Sequence, residues 1–277
     1  MLAEMTNKEY REHEGISSTQ IKRMAKSFAH FHYMEEHPDS NDSPALLFGR
    51  AVHKMCLEPY DFDKEFIVAP KVDKRTKEGK ETWTKFLVDA EGKDVIDEEM
   101  YQQICDMRTS MLSTPFCSRL LNGEHEKSIF WEEDGLKHKC RPDSFCIVGN
   151  HIICTDIKTC QNAETEAFMR DSVKYSYDIQ SAHYLEGLKA EYGDDYEYDF
   201  VFIAIEKTAP YLCNVLQADE YFLRSGRETR DALLEDYKEC LKRGEWKGYM
   251  GWNDETSIGE MSLPAWMKKA FESEVSE

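Results

Sequence analysis

The sequence lacks the long apolar segments that membrane-spanning and secreted proteins carry. Its longest apolar run, which includes Val201 to Ile205, has the length of a strand, whereas a helix needs about 20 apolar residues to cross a bilayer. The first residues, Met1 to Arg11, are mostly polar and charged and do not resemble a secretory signal. We therefore expect a cytoplasmic protein that does not associate with membranes.

Paired cysteine motifs are also absent. The chain has nine cysteines, an odd number, and no two of them form a C-x-x-C pair. Most lie within apolar patterns, where a free thiol behaves as a small hydrophobic group. The spacing favours reduced, buried cysteines over a zinc site or an iron–sulfur cluster.

Basic residues are scarce relative to acidic ones. The chain has 35 lysines and arginines against 54 aspartates and glutamates, a formal net charge of −19. This balance argues against nucleic-acid binding, because phosphate contacts require a basic surface. Nucleic-acid binding stays possible if the acidic body carries a compact basic face. The charge alone also suggests a different function, that of an acidic structural protein that mimics DNA.

Apolar periodicity predicts helices and strands in an order typical of an α/β protein. The predicted helices span about Thr19–Glu36, Ala45–Glu58, a stretch after Asp97, Tyr177–Tyr192 and Asp219–Arg243. The predicted strands are Ser128–Glu132, Leu136–Val148, His151–Lys158, Phe200–Ile205 and Tyr211–Leu216. Turns at Asp134–Gly135 and Gly149–Asn150 would join the first three strands into a meander.

We expect one domain over residues 1–277, with a mixed central sheet flanked by helices. Residues 1–125 would be mainly helical, 126–216 would form the sheet core, 217–252 a C-terminal helix and 253–277 a polar tail. Between residues 61 and 93 the periodicity is lost. Within this stretch, residues 71–85 carry six basic residues against three acidic ones, which predicts either a solvated loop or a mobile arm that contacts phosphates.

Asp156 and Lys158 lie two residues apart in a predicted strand and therefore point to the same face. The strand before them carries Asp143, across the Gly149–Asn150 turn. Two carboxylates on neighbouring strands form the oxygen-rich site that Mg²⁺ prefers, and the lysine could orient or deprotonate an attacking water. The alternative is a surface ion pair, which the apolar residues around Ile157 disfavour.

These residues stand in a longer pattern. Arg141-Pro142-Asp143, Asp156-Ile157-Lys158-Thr159 and Tyr177-x-x-Gln180-x-x-x-Tyr184 resemble the PDDEXK nuclease superfamily. The resemblance is closest to its exonuclease VIII (RecE) nuclease domains, which are encoded with prophage recombination systems. It extends to four further segments, Gly15–Ser18, Gly49–His53, Lys74–Lys80 and Glu126–Ser128. Asp156 departs from the glutamate of the superfamily name.

The resemblance implies a role for each matching residue. The metal would be held by His53, Asp143 and Asp156, with Glu126 and the backbone carbonyl of Ile157 as further ligands. The alternative for Glu126 is a solvated charge at the end of a strand. Lys158, Asp143, Asp156 and Gln180 would be catalytic. The DNA contacts would come from Arg50, Lys74, Arg75, Lys77, Lys80, Arg141 and Tyr184.

His53 has an alternative role, because a lone histidine on an apolar helix is usually a core residue. As a metal ligand His53 must be neutral, so activity should fall below its titration range near about 6.5.

The resemblance also implies a function. We expect a deoxyribonuclease that uses Mg²⁺, with Mn²⁺ as a substitute, and carries no iron–sulfur cluster. It would degrade linear double-stranded DNA from its ends in the 5′→3′ direction and leave 3′ single strands for an annealing protein of the RecT type. Relatives form rings, so a homo-oligomer is expected. The alternative is a non-catalytic, DNA-end-binding phage accessory protein.

Overall fold

The computed structural model describes residues 2–37, 43–249, 261–263 and 268 of the chain. Its helices are α1 (Asn7–Glu12), α2 (Ser18–Lys26), α3 (Phe28–Glu36), α4 (Pro44–Leu57), α5 (Phe62–Glu65), α6 (Lys77–Asp89), α7 (Glu98–Ser113), α8 (Cys117–Leu120), α9 (Thr165–Lys174), α10 (Tyr177–Tyr192) and α11 (Glu220–Arg243). Its strands are β1 (Leu2–Ala3), β2 (Phe66–Val68), β3 (Asp94–Ile96), β4 (Glu124–His125), β5 (Ser128–Glu133), β6 (Leu136–Cys140), β7 (Ser144–Val148), β8 (His151–Cys160), β9 (Glu197–Glu206) and β10 (Cys213–Gln217).

A mixed five-stranded sheet forms the centre of the fold, in the order β10-β9-β8-β7-β4. β8 and β9 run parallel along their whole length, from His151 opposite Glu197 to Cys160 opposite Glu206. The other neighbouring strands are antiparallel. Parallel strands need a crossover connection, which α9 and α10 provide. The predicted α/β fold with a mixed central sheet flanked by helices is confirmed.

Both faces of β8 and β9 are largely buried, which explains the continuous apolar run of residues 200–205 in β9. On one face, Ile157 and Ile203 pack in a core with residues of α4 and α7. On the other face, Phe200 and Phe202 pack with Leu185 and other residues of α9 and α10. Helices therefore cover the sheet on both sides, and polar side chains inside it must be paired or bound to a ligand.

The predicted first helix is wrong in one respect, because it is two helices. α2 and α3 are separated by Ser27, whose backbone is extended (φ −179°, ψ 155°). The Ser27 hydroxyl accepts a hydrogen bond from the backbone amide of His30 at 3.1 Å and so caps α3. Apolar spacing alone does not reveal this break, since Met24 and Phe28 are buried on either side of it.

The predicted strand Leu136–Val148 is also divided, and its halves belong to different sheets. β6 pairs with β5 in a three-stranded sheet that β1 completes, whereas β7 joins the central sheet. Residues 141–143 separate the two strands. Pro142 among them has no amide to donate to a neighbouring strand. The predicted single meander of three strands is therefore wrong.

The basic segment is neither a loop nor a mobile arm along most of its length. Residues 77–89 form α6, which begins after Thr76. The Thr76 hydroxyl accepts a hydrogen bond from the Gly79 amide at 3.0 Å. Gly79 is buried against the backbone carbonyl of Asp73, where a Cβ atom would not fit. The apolar side of α6 is narrow, with Phe86 as its buried side chain, which explains why no periodicity was evident.

Other elements match their predictions closely. α4, α10 and α11 begin and end within a few residues of the expected positions, and α7 begins directly after Asp97 as predicted. Six of the nine cysteines are buried. The predicted tail, 253–277, lies outside the described residues apart from 261–263 and 268. No helix in the described ranges has both the length and the apolar character needed to cross a membrane.

Candidate active site

Asp143 and Asp156 meet at the junction of β7 and β8. Asp143 immediately precedes β7, and Asp156 lies within β8. One carboxylate oxygen of Asp143 (Oδ2) accepts a hydrogen bond from the backbone amide of Ile157 at 2.7 Å. Both carboxylates are buried, with 7% and 1% of Asp143 and Asp156 exposed. The two residues that the strand pattern brought together are therefore neighbours inside the fold.

Lys158 and Gln180 hold the Asp156 carboxylate from two sides. The Lys158 ammonium lies 2.5 Å from Asp156 Oδ2, and the Gln180 amide donates to Asp156 Oδ1 at 2.6 Å. Lys158 also donates to Gln180 Oε1 at 3.2 Å. Asp156 Oδ2 is buried, and the contact with the Lys158 ammonium compensates its charge.

His53, Glu126 and Asp143 form a group that could hold a cation. One potential ligand atom from each lies within 4.8 Å of those of the other two. Glu126 has a positive φ of 50°, and its amide donates to the Asp143 carbonyl at 3.2 Å. Burial and the nearby charge of Asp143 raise the pKa of Glu126 to about 7. A divalent cation would relieve this repulsion, so the oxygen-rich donor set fits Mg²⁺ or Mn²⁺.

The ring of His53 faces Asp143, with 3.4 Å between Nδ1 and Oδ1. Burial by itself would lower the pKa of His53, but the charge and hydrogen bond of Asp143 raise it to about 9. The prediction that His53 titrates near 6.5 is therefore wrong for the protein without metal. To bind a metal, His53 must release this proton.

Lys158 is surrounded by negative charge. Burial opposes its charge, but Asp156 and Asp143 outweigh this effect and raise the pKa of Lys158. The side chain therefore stays an ammonium in this arrangement. Of the two roles considered for it, orientation and charge stabilisation fit this state better than proton abstraction.

Lys22 is a member of the site that the sequence analysis missed. Its ammonium donates to Gln180 Oε1 at 3.2 Å, the same oxygen that accepts from Lys158. Burial and the positive charge of Lys158 lower the pKa of Lys22 to about 8. A signal was present in the spacing: Lys22 lies four residues after the buried Ser18 and next to the buried Ile21, so it borders the inner face of α2.

Two predicted DNA contacts, Arg141 and Tyr184, pack largely against other parts of the protein. Arg141 is 7% exposed and donates to Ser128 Oγ, Asn7 Oδ1 and the Met5 carbonyl. Its guanidinium ties the N-terminal segment to β5, and its contact with DNA stays a prediction. Tyr184 is half-buried and packs against the core residue Phe200, with ring centroids 6.3 Å apart; its contact with DNA stays a prediction.

The remaining predicted DNA contacts lie near the surface. Arg50 is paired with Asp94 at 2.7 Å. The Lys74 ammonium lies 3.0 Å from the centroid of the Trp83 ring. Arg75, Lys77 and Lys80 are exposed, with Arg75 3.5 Å from Asp73. Their contact with DNA stays a prediction.

The comparisons with known proteins agree with this fold. The chain is similar to a protein from Eubacterium rectale described as a "putative exonuclease", with a TM-score of 0.61, 14% identity and coverage of 97% of this chain and 99% of that one. At this identity the likeness shows a shared fold. Another solved structure, SSO0001, has a TM-score of 0.29, 16% identity and coverage of 76% and 90%, which is too low to support an argument. No curated protein matches the sequence.

A family model matches residues 17–255, which include every residue assigned to the site above. That family is described as a PDDEXK-like domain of unknown function (DUF3799). The motif residues Asp143, Asp156 and Lys158 all fall within the match. The chain therefore belongs to the DUF3799 family of PDDEXK-like domains.

Proposed function

We propose that this protein is a metal-dependent deoxyribonuclease that hydrolyses phosphodiester bonds. The observation that carries the proposal is the convergence of Asp143, Asp156 and Lys158 in one buried site, with Glu126 and His53 beside them. Buried charges of this kind are costly unless they serve a ligand or a reaction. Membership of a PDDEXK-like family and the likeness to a protein described as a "putative exonuclease" support the same activity.

In this proposal, Asp143 and Asp156 hold the metal, with Glu126, His53 and the Ile157 carbonyl as further ligands. A bound Mg²⁺, or Mn²⁺ in its place, would supply Lewis-acid stabilisation of the negative charge that develops on the phosphate.

The side chains around the carboxylates have complementary roles. The Lys158 ammonium orients the attacking water and stabilises negative charge in the transition state. Gln180 keeps Lys158 and Asp156 in register by bonding to both. The Lys22 ammonium, which donates to the same Gln180 oxygen, is a second positive charge in the site. This charge favours the approach of an anionic phosphate.

The finer activity follows from the resemblance to exonuclease VIII. We propose 5′→3′ degradation of one strand of linear duplex DNA, which leaves a 3′ single strand for an annealing protein of the RecT type. A homo-oligomeric ring would place exposed basic residues such as Lys77 and Lys80 towards an enclosed duplex and acidic residues outwards. Such an arrangement would reconcile DNA binding with the net charge of −19.

The test uses linear duplex DNA labelled at the 5′ or the 3′ end of one strand, with Mg²⁺ or with a chelator. We expect metal-dependent release of nucleotides from the 5′ end and no attack on closed circular DNA. Asp156→Asn should abolish cleavage without unfolding the protein. Asp199→Asn is the matched control, because it makes the same substitution at an aspartate of the neighbouring strand β9, which is paired with His151.

Three outcomes separate the alternatives. Cleavage by Asp156→Asn at the wild-type rate would overturn the proposed site. Tight binding of DNA ends without cleavage by the wild type would favour the non-catalytic end-binding protein. Release from the 3′ end would keep the nuclease but reverse the proposed polarity.

A further inference from the structure

A row of aromatic rings leads from the core of the protein to its surface beside the active site. The Tyr177 ring lies 5.8 Å from Phe202 in the core, centroid to centroid. The Tyr175 ring lies 5.8 Å from Tyr177 on the outer side, with the two planes inclined by 29°. Tyr175 is 49% exposed, so the row ends in solvent.

The inner ring of this row borders the catalytic residues. The Lys158 ammonium lies 4.8 Å from the centroid of the Tyr177 ring, and the Lys22 ammonium lies 5.7 Å from it. Both ammoniums donate to Gln180. Tyr175 is therefore separated from the catalytic lysine by a single aromatic ring.

The chain conformation at Ser176 places the two tyrosines side by side. Ser176 has φ 53° and ψ 49°, a left-handed conformation that residues other than glycine adopt rarely. Tyr175 and Ser176 alone separate α9 from α10, so Tyr175 follows the last residue of α9 and Tyr177 is the first residue of α10. Non-glycine residues in this conformation cluster at functional sites.

The two tyrosines differ in what the fold requires of them. Tyr177 is half-buried and packs against the core residues Phe168 and Phe202. Tyr175 contacts Tyr177 and lies under the Lys174 ammonium, which is 5.1 Å from its ring centroid. A half-exposed ring beside a cation is suited to a ligand that combines a flat apolar surface with negative charge. An unpaired nucleotide has both features.

We infer that Tyr175 and Tyr177 form a stacking platform for an unpaired nucleobase next to the phosphate to be cleaved, and that Lys174 contacts the backbone of the same strand. The inference rests on the proposed nuclease function and specifies how the substrate strand is held. Stacking is tolerant of base identity, so the platform would accept all four bases. It would engage a strand only where its end is unpaired.

The experiment combines variants of Tyr175 with DNA that lacks single bases. The substrate is a linear duplex with one abasic nucleotide, placed in turn at each of the first positions from the cleaved end. Cleavage is measured with Mg²⁺ under single-turnover conditions, and binding is measured with the Asp156→Asn protein. The variants are Tyr175→Ala, Tyr175→Phe and the control Tyr33→Ala, a similarly exposed tyrosine that stacks on His37.

We expect Tyr175→Ala to weaken binding of intact DNA by about 5-fold to about 150-fold, the range for one lost stacking contact. Tyr175→Phe and Tyr33→Ala should bind almost as tightly as wild type. At one position, removal of the base should weaken binding to wild type by the same factor as Tyr175→Ala weakens binding of intact DNA. The same missing base should weaken binding to Tyr175→Ala little further, because both changes remove one contact.

Two results would overturn the inference. One is that, at every abasic position, the weakening of binding caused by Tyr175→Ala multiplies with the weakening caused by the missing base. The other is equal binding of intact DNA by Tyr175→Ala and wild type. In either case continued cleavage by the wild type would leave the proposed nuclease function intact. Failure of the nuclease proposal would appear separately, as absence of cleavage by the wild type.

Discussion

The backbone amide of Glu126 donates a hydrogen bond to the backbone carbonyl of Asp143 at 3.2 Å. This bond fixes the spacing of two acidic residues whose negative charges repel each other. Glu126 adopts a positive φ of 50° there, and its pKa is raised to about 7. The fold thus maintains a repulsion that a bound cation would remove, and this arrangement leads to the first prediction.

Glu126→Gln should stabilise the metal-free protein and weaken its metal binding. Because the pKa of Glu126 is raised above its unfolded value of 4.5, wild type loses stability as pH rises from about 4.5 through about 7. At pH 8 with a chelator, the variant should melt a few degrees higher, since 1 kcal/mol corresponds to about 2–4 °C at this size. The gain should shrink at pH 5.5 and reverse with excess Mg²⁺. A variant that melts lower than wild type at pH 8 without metal would contradict the prediction.

Metal affinity should depend on pH through His53. Its pKa is raised to about 9 without metal, so at lower pH a metal must displace its proton, and affinity should fall by up to about tenfold per pH unit below 9. His53→Gln should bind metal more weakly and flatten this slope. Titration of Mn²⁺ into the protein, followed by tryptophan fluorescence at several pH values, measures the effect. His151→Gln is the control, and equal slopes for His53→Gln and wild type would exclude His53 as a ligand.

Lys22 should set an alkaline limit on activity. With a pKa lowered to about 8 by burial and by Lys158, it loses its charge above that pH and ceases to attract phosphate. We expect kcat/KM to fall by up to about tenfold per pH unit above 8. Lys22→Arg should remove this fall, because arginine stays charged. Lys26→Arg, an exposed neighbour on the same helix, should leave the profile as in wild type. Identical alkaline limbs in Lys22→Arg and wild type would refute the assignment.

The basic segment should contribute to DNA affinity from a folded helix. Neutralising Lys77, Lys80 and Lys85 of α6, together with Lys74, should flatten the salt dependence of binding by up to about 0.9 log units per lost contact. Catalysis at saturating DNA should change little, because these residues lie outside the metal site. The affinity of the Asp156→Asn protein at several salt concentrations tests this.

A matched variant controls for net charge. It neutralises four exposed lysines on other elements, Lys8, Lys64, Lys189 and Lys242. An equal effect of the two sets would show that charge alone matters, and an unchanged slope in the first would remove the segment from the DNA interface.

The sequence by itself determined the fold class and the centre of the site. The alternation of polar and apolar residues in β8 predicted that Asp156 and Lys158 share a face while Ile157 points into the core, as the structure shows. The tight turn at Gly149 brought the strand after Asp143 alongside. Such relations depend on neighbours in the chain, where the geometry of strands and turns leaves few alternatives.

Tertiary structure decided the rest. His53 and Lys22 reach the site from α4 and α2, helices far from β8 in the chain, and no local pattern specifies where a helix docks. Arg141 turns inward because the N-terminal segment offers it acceptors at Asn7 and Met5, contacts that its place in the sequence motif does not reveal. Which side chains lie in the site and which in the core depends on contacts between distant segments of the chain. Hydrophobic burial establishes these contacts only when the whole chain packs.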